Sequence, residues 1–302
     1  MATKPPSIDP VAALRWQRHG HNASAWLHEE IASRMADRLQ WIKLQPPVVA
    51  HWEPLLGGLA AHGLLRQRYP QARHFWLGAN AGGLASAEKT LRTPWWKLSQ
   101  WAVPRPHLQS PGDQKAQLVW ANMALHGTAN PLELIQSWHR LLAVDGFLMF
   151  SCLGPDTLRE LRAVYANLGW PPPAQEFTDM HDWGDMLVAS GFAEPVMDME
   201  RITLTFETPQ RLLQELRGLG RNLHLQRFAG LRGRQWHQEL QAELLKNLAD
   251  TQADGRLKLN FEVIYGHALK PAKRLALGAE TALSLEEMRQ TLRAGKLQAG
   301  RS

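Results

Sequence analysis

The chain has 302 residues, 44% hydrophobic and 21% charged, enough to bury a full-sized core as one large domain or two small ones. Its single cysteine, Cys152, excludes an internal disulfide, a Cys-rich zinc site and a CxxC redox pair. A formal charge of +6 and a pI near 9.7 suit an acidic partner, whether nucleic acid, an anionic surface or an acidic protein, without choosing among them.

The first fifteen residues hold Asp9 and three prolines but no unbroken apolar run, and no later segment reaches the ~18 apolar residues of a membrane span. Neither export nor a membrane partner is expected, and a cytoplasmic location suits the lone thiol. After an arm over residues 1–22, "ASAWLHEEIASRMADRLQWI" sets Trp26, Ile31, Met35, Leu39 and Ile42 on one stripe. That is an amphipathic helix, stopped before Pro46 and Pro47. Strands over 48–52 and 73–77 then alternate with helices over 57–68 and 82–90, the pattern of an α/β fold with a mostly parallel sheet.

Residues 91–116 carry four prolines and three tryptophans without a steady period, so they form a long connection. It is either a surface loop packed by Trp95, Trp96 and Trp101 or a lid over a site. "QLVWANMAL" is a buried strand with its exit turn, "PLELIQSWHRLL" a helix begun at Pro131, and "GFLMFSCL" a second buried strand entered through Asp145 and Gly146. Cys152 in that strand reads as a small apolar filler. A helix over 156–168, a proline-stiffened linker and a helix in "MHDWGDMLVASGF" capped by Gly191 follow. "ITLTF" alternates as a half-buried strand, a helix begins at Pro209, and "LKLNFEVIYGHA" is a last strand. The tail 271–302 has six Lys/Arg against three Glu and a capping box at Ser284 and Glu287.

Four stretches, "WLHEEIASRMADRLQWIKLQP", "LVWANMALHGTANP", "LLAVDGFLMFSCLGPDTLRELR" and "RLKLNFEVIYGHA", give the chain a family likeness over roughly residues 20–270. It resembles the class I S-adenosylmethionine-dependent methyltransferases and, among them, the malonyl-acyl-carrier-protein O-methyltransferases of biotin synthesis. "GPDTLREL" after the strand is the most specific element. The resemblance implies a Rossmann-like domain over 23–270, helices on both faces of the sheet, and a substrate-side insertion with cap helices over 156–260. It also implies S-adenosylmethionine as cofactor and acyl carrier protein, an acidic protein, as the partner that carries the substrate.

Set against that family, the turn after the first strand is eroded. The usual acid and glycine-rich run become His51, Glu53, Pro54 and Leu55 before Gly57. Glycine in such a turn lets backbone approach a ligand, so Glu53 and Leu55 are expected to crowd the cofactor. The second strand, usually ended by an acid that binds ribose hydroxyls, ends here at Gly78, with Asn80 two positions on. Asn122 and His126, after the next strand, are implied beside the cofactor. Two readings stay open: a site that still binds cofactor, or a gap filled by Trp52 and Trp76.

Methylating a free carboxylate needs no general base, because the group is already ionised at neutral pH. It does need a cation or hydrogen-bond donors to hold the substrate. Segment 211–234 has six arginines against Glu215, from which Arg217 or Arg221 is expected to orient the carboxylate while others meet the carrier; a plain solvated basic face is the alternative. His19, His21, His51, His74 and His126 are too scattered for a metal site. The functional alternatives are a methyltransferase, a non-catalytic binding or scaffold relative that has lost the cofactor, and a nucleic-acid binder. The last lacks stacking platforms in 211–234 apart from Phe228.

Overall fold

A run of four buried residues in β1 (Val48–Trp52) is what a parallel strand covered on both faces requires. The computed structural model describes residues 8–18, 24–78, 81–90, 106–250 and 254–272, and the described residues through Pro271 belong to one compact unit. Asn80, residues 91–105 of the long connection, and the basic tail from residue 273 lie outside the described residues.

β1 is followed by a helical turn α3 (Pro54–Gly57), α4 (Ala61–Arg68), β2 (Arg73–Leu77) and α5 (Ala81–Thr90). The helix expected over 57–68 begins only at Ala61, separated from the turn α3 by Gly58, whose φ of +111° no helix accommodates. Then come β3 (Ala116–Ala121), α6 (Pro131–Leu141), β4 (Leu142–Leu153), α7 (Arg159–Asn167) and α8 (Met180–Ala189). β5 (Ala193–Phe206), α9 (Pro209–Leu219), α10 (Arg234–Leu248) and β6 (Leu257–Leu269) complete the domain, and α1 (Pro10–Arg18) and α2 (Trp26–Arg38) precede it.

The sheet runs β2-β1-β3-β4-β6-β5. It is parallel from β2 to β4 and antiparallel at the β4–β6 and β6–β5 pairs. Strand order reverses between β1 and β3, so a crevice opens there beyond their carboxyl ends. β5 is a sheet strand, so 156–260 is not one inserted block; only its helical parts stand outside the sheet. β5 is also far longer than "ITLTF" suggested. Its first half is an edge segment that includes Pro195 and leaves Val196 and Met199 exposed, so it carries little apolar signal.

One face of the sheet packs on Leu27, Ile31 and Met35 of α2, Leu65 of α4, and apolar residues of α7, α9 and α10. The other packs on Ile135 and Trp138 of α6 and Trp183 and Met186 of α8. The stripe of α2 is turned slightly from the expected one: Leu27 is buried, while Trp26 is 48% exposed. Local chemistry fixes the helix ends. Asn130, Asp179 and Thr208 cap α6, α8 and α9, with proline at the first turn of α6 and α9. Gly191 ends α8 at φ +93°, and Phe192 N donates back to Leu187 O.

His51 is fully buried on the face of β1 that α4 covers, not on a ligand-facing side. That corrects its expected place in a cofactor turn: strand alternation puts it with Val49. It neighbours His62 of α4 and His74 of β2, whose rings meet edge to face at 5.3 Å, and Trp76 Nε1 donates to His62 Nδ1 at 3.2 Å. Trp76 therefore fills this core and not the crevice. Burial holds these rings neutral, pushing His62 down to about 3, His74 to about 4 and His51 well below the usual imidazole range.

Because these folded values lie below that of an unfolded histidine, the unfolded chain takes up protons first as pH falls through ~6.5. Their contribution is complete above that pH and is lost progressively toward pH 4. The urea midpoint should fall between pH 7 and pH 5, and His62→Gln, which keeps an acceptor for Trp76, should reduce that fall. A slope unchanged by the substitution would contradict the assignment.

Candidate functional site

The turn after β1 is bent by its backbone. Glu53 sits in the left-handed region (φ 46°, ψ 58°), its N–H donates to Leu77 O at 2.7 Å, and its carbonyl accepts from Gly57 N at 2.8 Å. Pro54 at the first helical position sets the short turn α3. A Cβ on Gly57 would lie 2.6 Å from Asn122 O, so glycine is needed there for contact with the exit turn of β3, not for contact with a ligand.

Asn122 is fully buried and spends its side chain on the chain itself. Its amide donates to His28 O at 2.8 Å and to Gly57 O, and its oxygen accepts from Ser151 Oγ of β4. α2 grips the turn from the other side. His28 Nδ1–H donates to Leu56 O at 2.7 Å, and the Glu29 carboxylate accepts from Leu59 N at 2.8 Å and Ala60 N at 3.0 Å. Asn122 is thus beside the crevice as expected, but its role is corrected: the side chain clamps the turn and does not face a ligand.

Between the turn after β1 and the turn after β3, at the point where strand order reverses, lies a cavity of about 350 Å³. Trp52, Leu56, Ala124 and Leu134 give it apolar walls, and Glu53 and Asn130 give it polar ones. Trp52 meets Trp138 edge to face at 6.1 Å, which fixes one wall. Leu55 turns away into a small core with Trp76 and Leu84, so it does not crowd this space. Glu53 leans over Gly78: a Cβ there would lie 2.6 Å from its Cδ.

His126 lines a different, largely apolar cavity of about 120 Å³, with Leu158, Leu161, Phe177, Leu216 and Arg221. Its Nδ1 accepts from Leu153 N at 3.4 Å, and burial pushes it down to about 3, so the ring is a neutral acceptor. Arg221 stands where this cavity meets an arginine-rich vestibule of about 440 Å³, and both are also lined by Pro173 and Asn222. Its guanidinium lies 5.0 Å from the Trp16 ring and donates to Arg217 O at 2.6 Å. Arg217, exposed like Arg221, lines neither of these two cavities, and its carbonyl accepts from Arg221.

Reading by segment missed Arg15, which lines the vestibule with Arg227 and Arg232 of the basic segment and with Tyr165 and Phe228. It also missed α1, which docks through Asp9: Asp9 N donates to Leu223 O at 2.9 Å and its carboxylate pairs with Arg227 at 2.8 Å. Trp16 of α1 lines both the 350 Å³ cavity and the vestibule. The Asp9 side chain accepting from Val11 N and Ala12 N was the available signal for that helix.

A mostly parallel sheet with helices on both faces and a cavity at its switch point make a Rossmann-like α/β fold, the fold of class I methyltransferases among others. Solved structures agree: a Bacillus halodurans protein assigned as a methyltransferase (TM-score 0.52, 15% identity, 80% of this chain and 100% of that one) and the Bacillus subtilis YcgJ protein (TM-score 0.51, 12% identity, 80% and 99%) share the fold. In sequence, the chain is 39% identical over 265 residues to the malonyl-[acyl-carrier protein] O-methyltransferase of Gallionella capsiferriformans, covering 85% of this chain and 88% of that one. It is 38% identical over 276 residues to that of Laribacter hongkongensis, covering 89% of each. The chain belongs to the malonyl-[acyl-carrier protein] O-methyltransferase family. No protein-family model matches it.

If Asn122 is the clamp described, Asn122→Ala should lower unfolding stability by about 2–4 kcal/mol, since it takes a buried partner from the Gly57 carbonyl and the Ser151 hydroxyl and a second bond from the His28 carbonyl. Chemical denaturation checks this, and a loss under about 0.5 kcal/mol, the usual scatter at the surface, would refute the clamp.

Proposed function

We propose that this protein is an S-adenosylmethionine-dependent O-methyltransferase that esterifies the free carboxylate of a malonyl group held on acyl carrier protein. The observation that carries the reading is Arg221, a guanidinium at the junction of an apolar cavity and a basic vestibule, in a chain of this family. The domain division goes with it: an arm over 1–22 whose helix α1 borders the site, the transferase domain over 23–270, and the basic tail 271–302.

The cavity at the switch point suits the nucleoside half of the cofactor. It has apolar walls for a flat base and the Glu53 carboxylate as acceptor for hydroxyls. When bound, the cofactor supplies a methyl group made electrophilic by the sulfonium, which leaves as a neutral thioether.

The chain's own part is positioning. The substrate carboxylate is already ionised at neutral pH, so no side chain has to remove a proton, and acceleration comes from holding one oxygen in line with the methyl group. A guanidinium fork suits that task, because it fixes the carboxylate through paired donors while one oxygen lone pair stays available. The neutral His126 ring and the leucines around it exclude water from the chain that bears the carboxylate. Arg15 and Arg232, beside an Arg227 paired with Asp9, give the vestibule a positive field that draws in an acidic carrier.

The test is methyl transfer from labelled S-adenosylmethionine to malonyl-acyl carrier protein, with the methyl ester identified by mass spectrometry. Arg221→Ala should raise KM for the carrier substrate about tenfold or more, the worth of a charge-assisted hydrogen bond, with Arg221→Lys intermediate. Arg211→Ala, on an exposed arginine paired with Glu215, should change KM less than twofold. No ester from a folded sample, or equal effects of the two alanine variants, would overturn the reading.

A further inference from the structure

We infer that Glu53 is the residue that holds the vicinal hydroxyls of the bound nucleoside, reaching over Gly78 from the end of β1 to the place where a carboxylate carried by β2 would otherwise stand. The inference deepens the proposed function and rests on its cofactor.

Nucleoside sites at the switch point of a parallel sheet need an acceptor near the end of the second strand, because a ribose presents two adjacent hydroxyls that a carboxylate accepts together. Here that strand ends at Gly78, which has no side chain. The space is nevertheless taken: a Cβ on Gly78 would lie 2.6 Å from both Cδ and Oε1 of Glu53 and 2.8 Å from Oε2. The carboxylate therefore lies directly over Gly78, and a side chain at 78 would have to displace it from there.

The backbone aims it there. Glu53 is one of the non-glycine residues in the left-handed region, a conformation costing about 1–2 kcal/mol. The Leu77 and Gly57 hydrogen bonds on either side and Pro54 immediately after hold it in place. A glycine or asparagine would relieve that strain, and the glutamate found there sets a carboxylate over Gly78 at the edge of the cavity. The same residue lines the 350 Å³ cavity, between Trp52 and Leu56 in sequence. The turn after β1 thus places over the end of β2 an acid that β2 itself does not carry.

Calorimetric binding of S-adenosylhomocysteine and of its 2′-deoxy analogue to the full chain tests this. Wild-type protein should bind S-adenosylhomocysteine and lose about tenfold or more for the analogue. Glu53→Gln should weaken S-adenosylhomocysteine by a similar factor and show little further loss for the analogue. The double variant Glu53→Gly with Gly78→Asp, which returns the acid to β2, should recover most of the affinity. Wild-type protein that binds both ligands equally, or Glu53→Gln that binds S-adenosylhomocysteine as wild type does, would overturn the role of Glu53 and leave the transferase reading standing. Wild-type protein that gives no heat at millimolar S-adenosylhomocysteine would overturn both.

Discussion

The site depends on one buried asparagine. Asn122 joins three separate parts of the chain: the carbonyl of His28 on α2, the carbonyl of Gly57 in the turn after β1, and the hydroxyl of Ser151 on β4. Each of these groups is inside the protein, where an unpaired polar atom costs far more than a hydrogen bond contributes at the surface. The network therefore acts as a single unit. It sets the distance between the turns after β1 and β3, and that distance is the width of the switch-point cavity. Gly57 has to be glycine because this closure brings it against the Asn122 backbone.

The remaining contacts of the turn follow from that closure. Once Gly57 is held, residues 56–60 lie close enough to α2 for His28 to take the Leu56 carbonyl and for Glu29 to take two N–H groups at the start of α4. An acid of the chain thus satisfies donors that would otherwise be left open at a helix start. The turn is held by these bonds and needs no glycine-rich run to shape it.

The alternation of strands and helices and the parallel character of the sheet were legible in the sequence, because β1 to β4 are covered on both faces and read as apolar runs. The edge strand β5 was legible only in its second half, where Ile202, Leu204 and Phe206 alternate over the core. The site was legible in part. Asn122 and Glu53 were singled out by position, yet their roles were not: the direction of Glu53 comes from a positive φ, and that of Asn122 from contacts with residues far away in the chain. His51 was misplaced for a related reason. Sequence spacing says that a residue is near a turn, whereas the face of a strand or helix decides which cavity it meets. Arg15, Arg227 and Trp16 come together only because α1 docks through Asp9, a long-range ion pair that no local pattern announces.

Charge completes the account. The arginines of 211–234 are not an undivided basic face: Arg227 is paired with Asp9, Arg232 lies over Phe228 and Trp236, and Arg221 lies over Trp16. Aromatic neighbours hold two of these guanidinium planes in fixed directions around a vestibule that opens beside the apolar cavity. The most direct test of the central claim is a crystal structure of the protein grown with S-adenosylhomocysteine. The account predicts the adenosyl group between the turns after β1 and β3, with its ribose at Glu53 and the Asn122 network unbroken. A nucleoside bound elsewhere, or one seated only after the turn 53–60 has come away from Asn122, would contradict it.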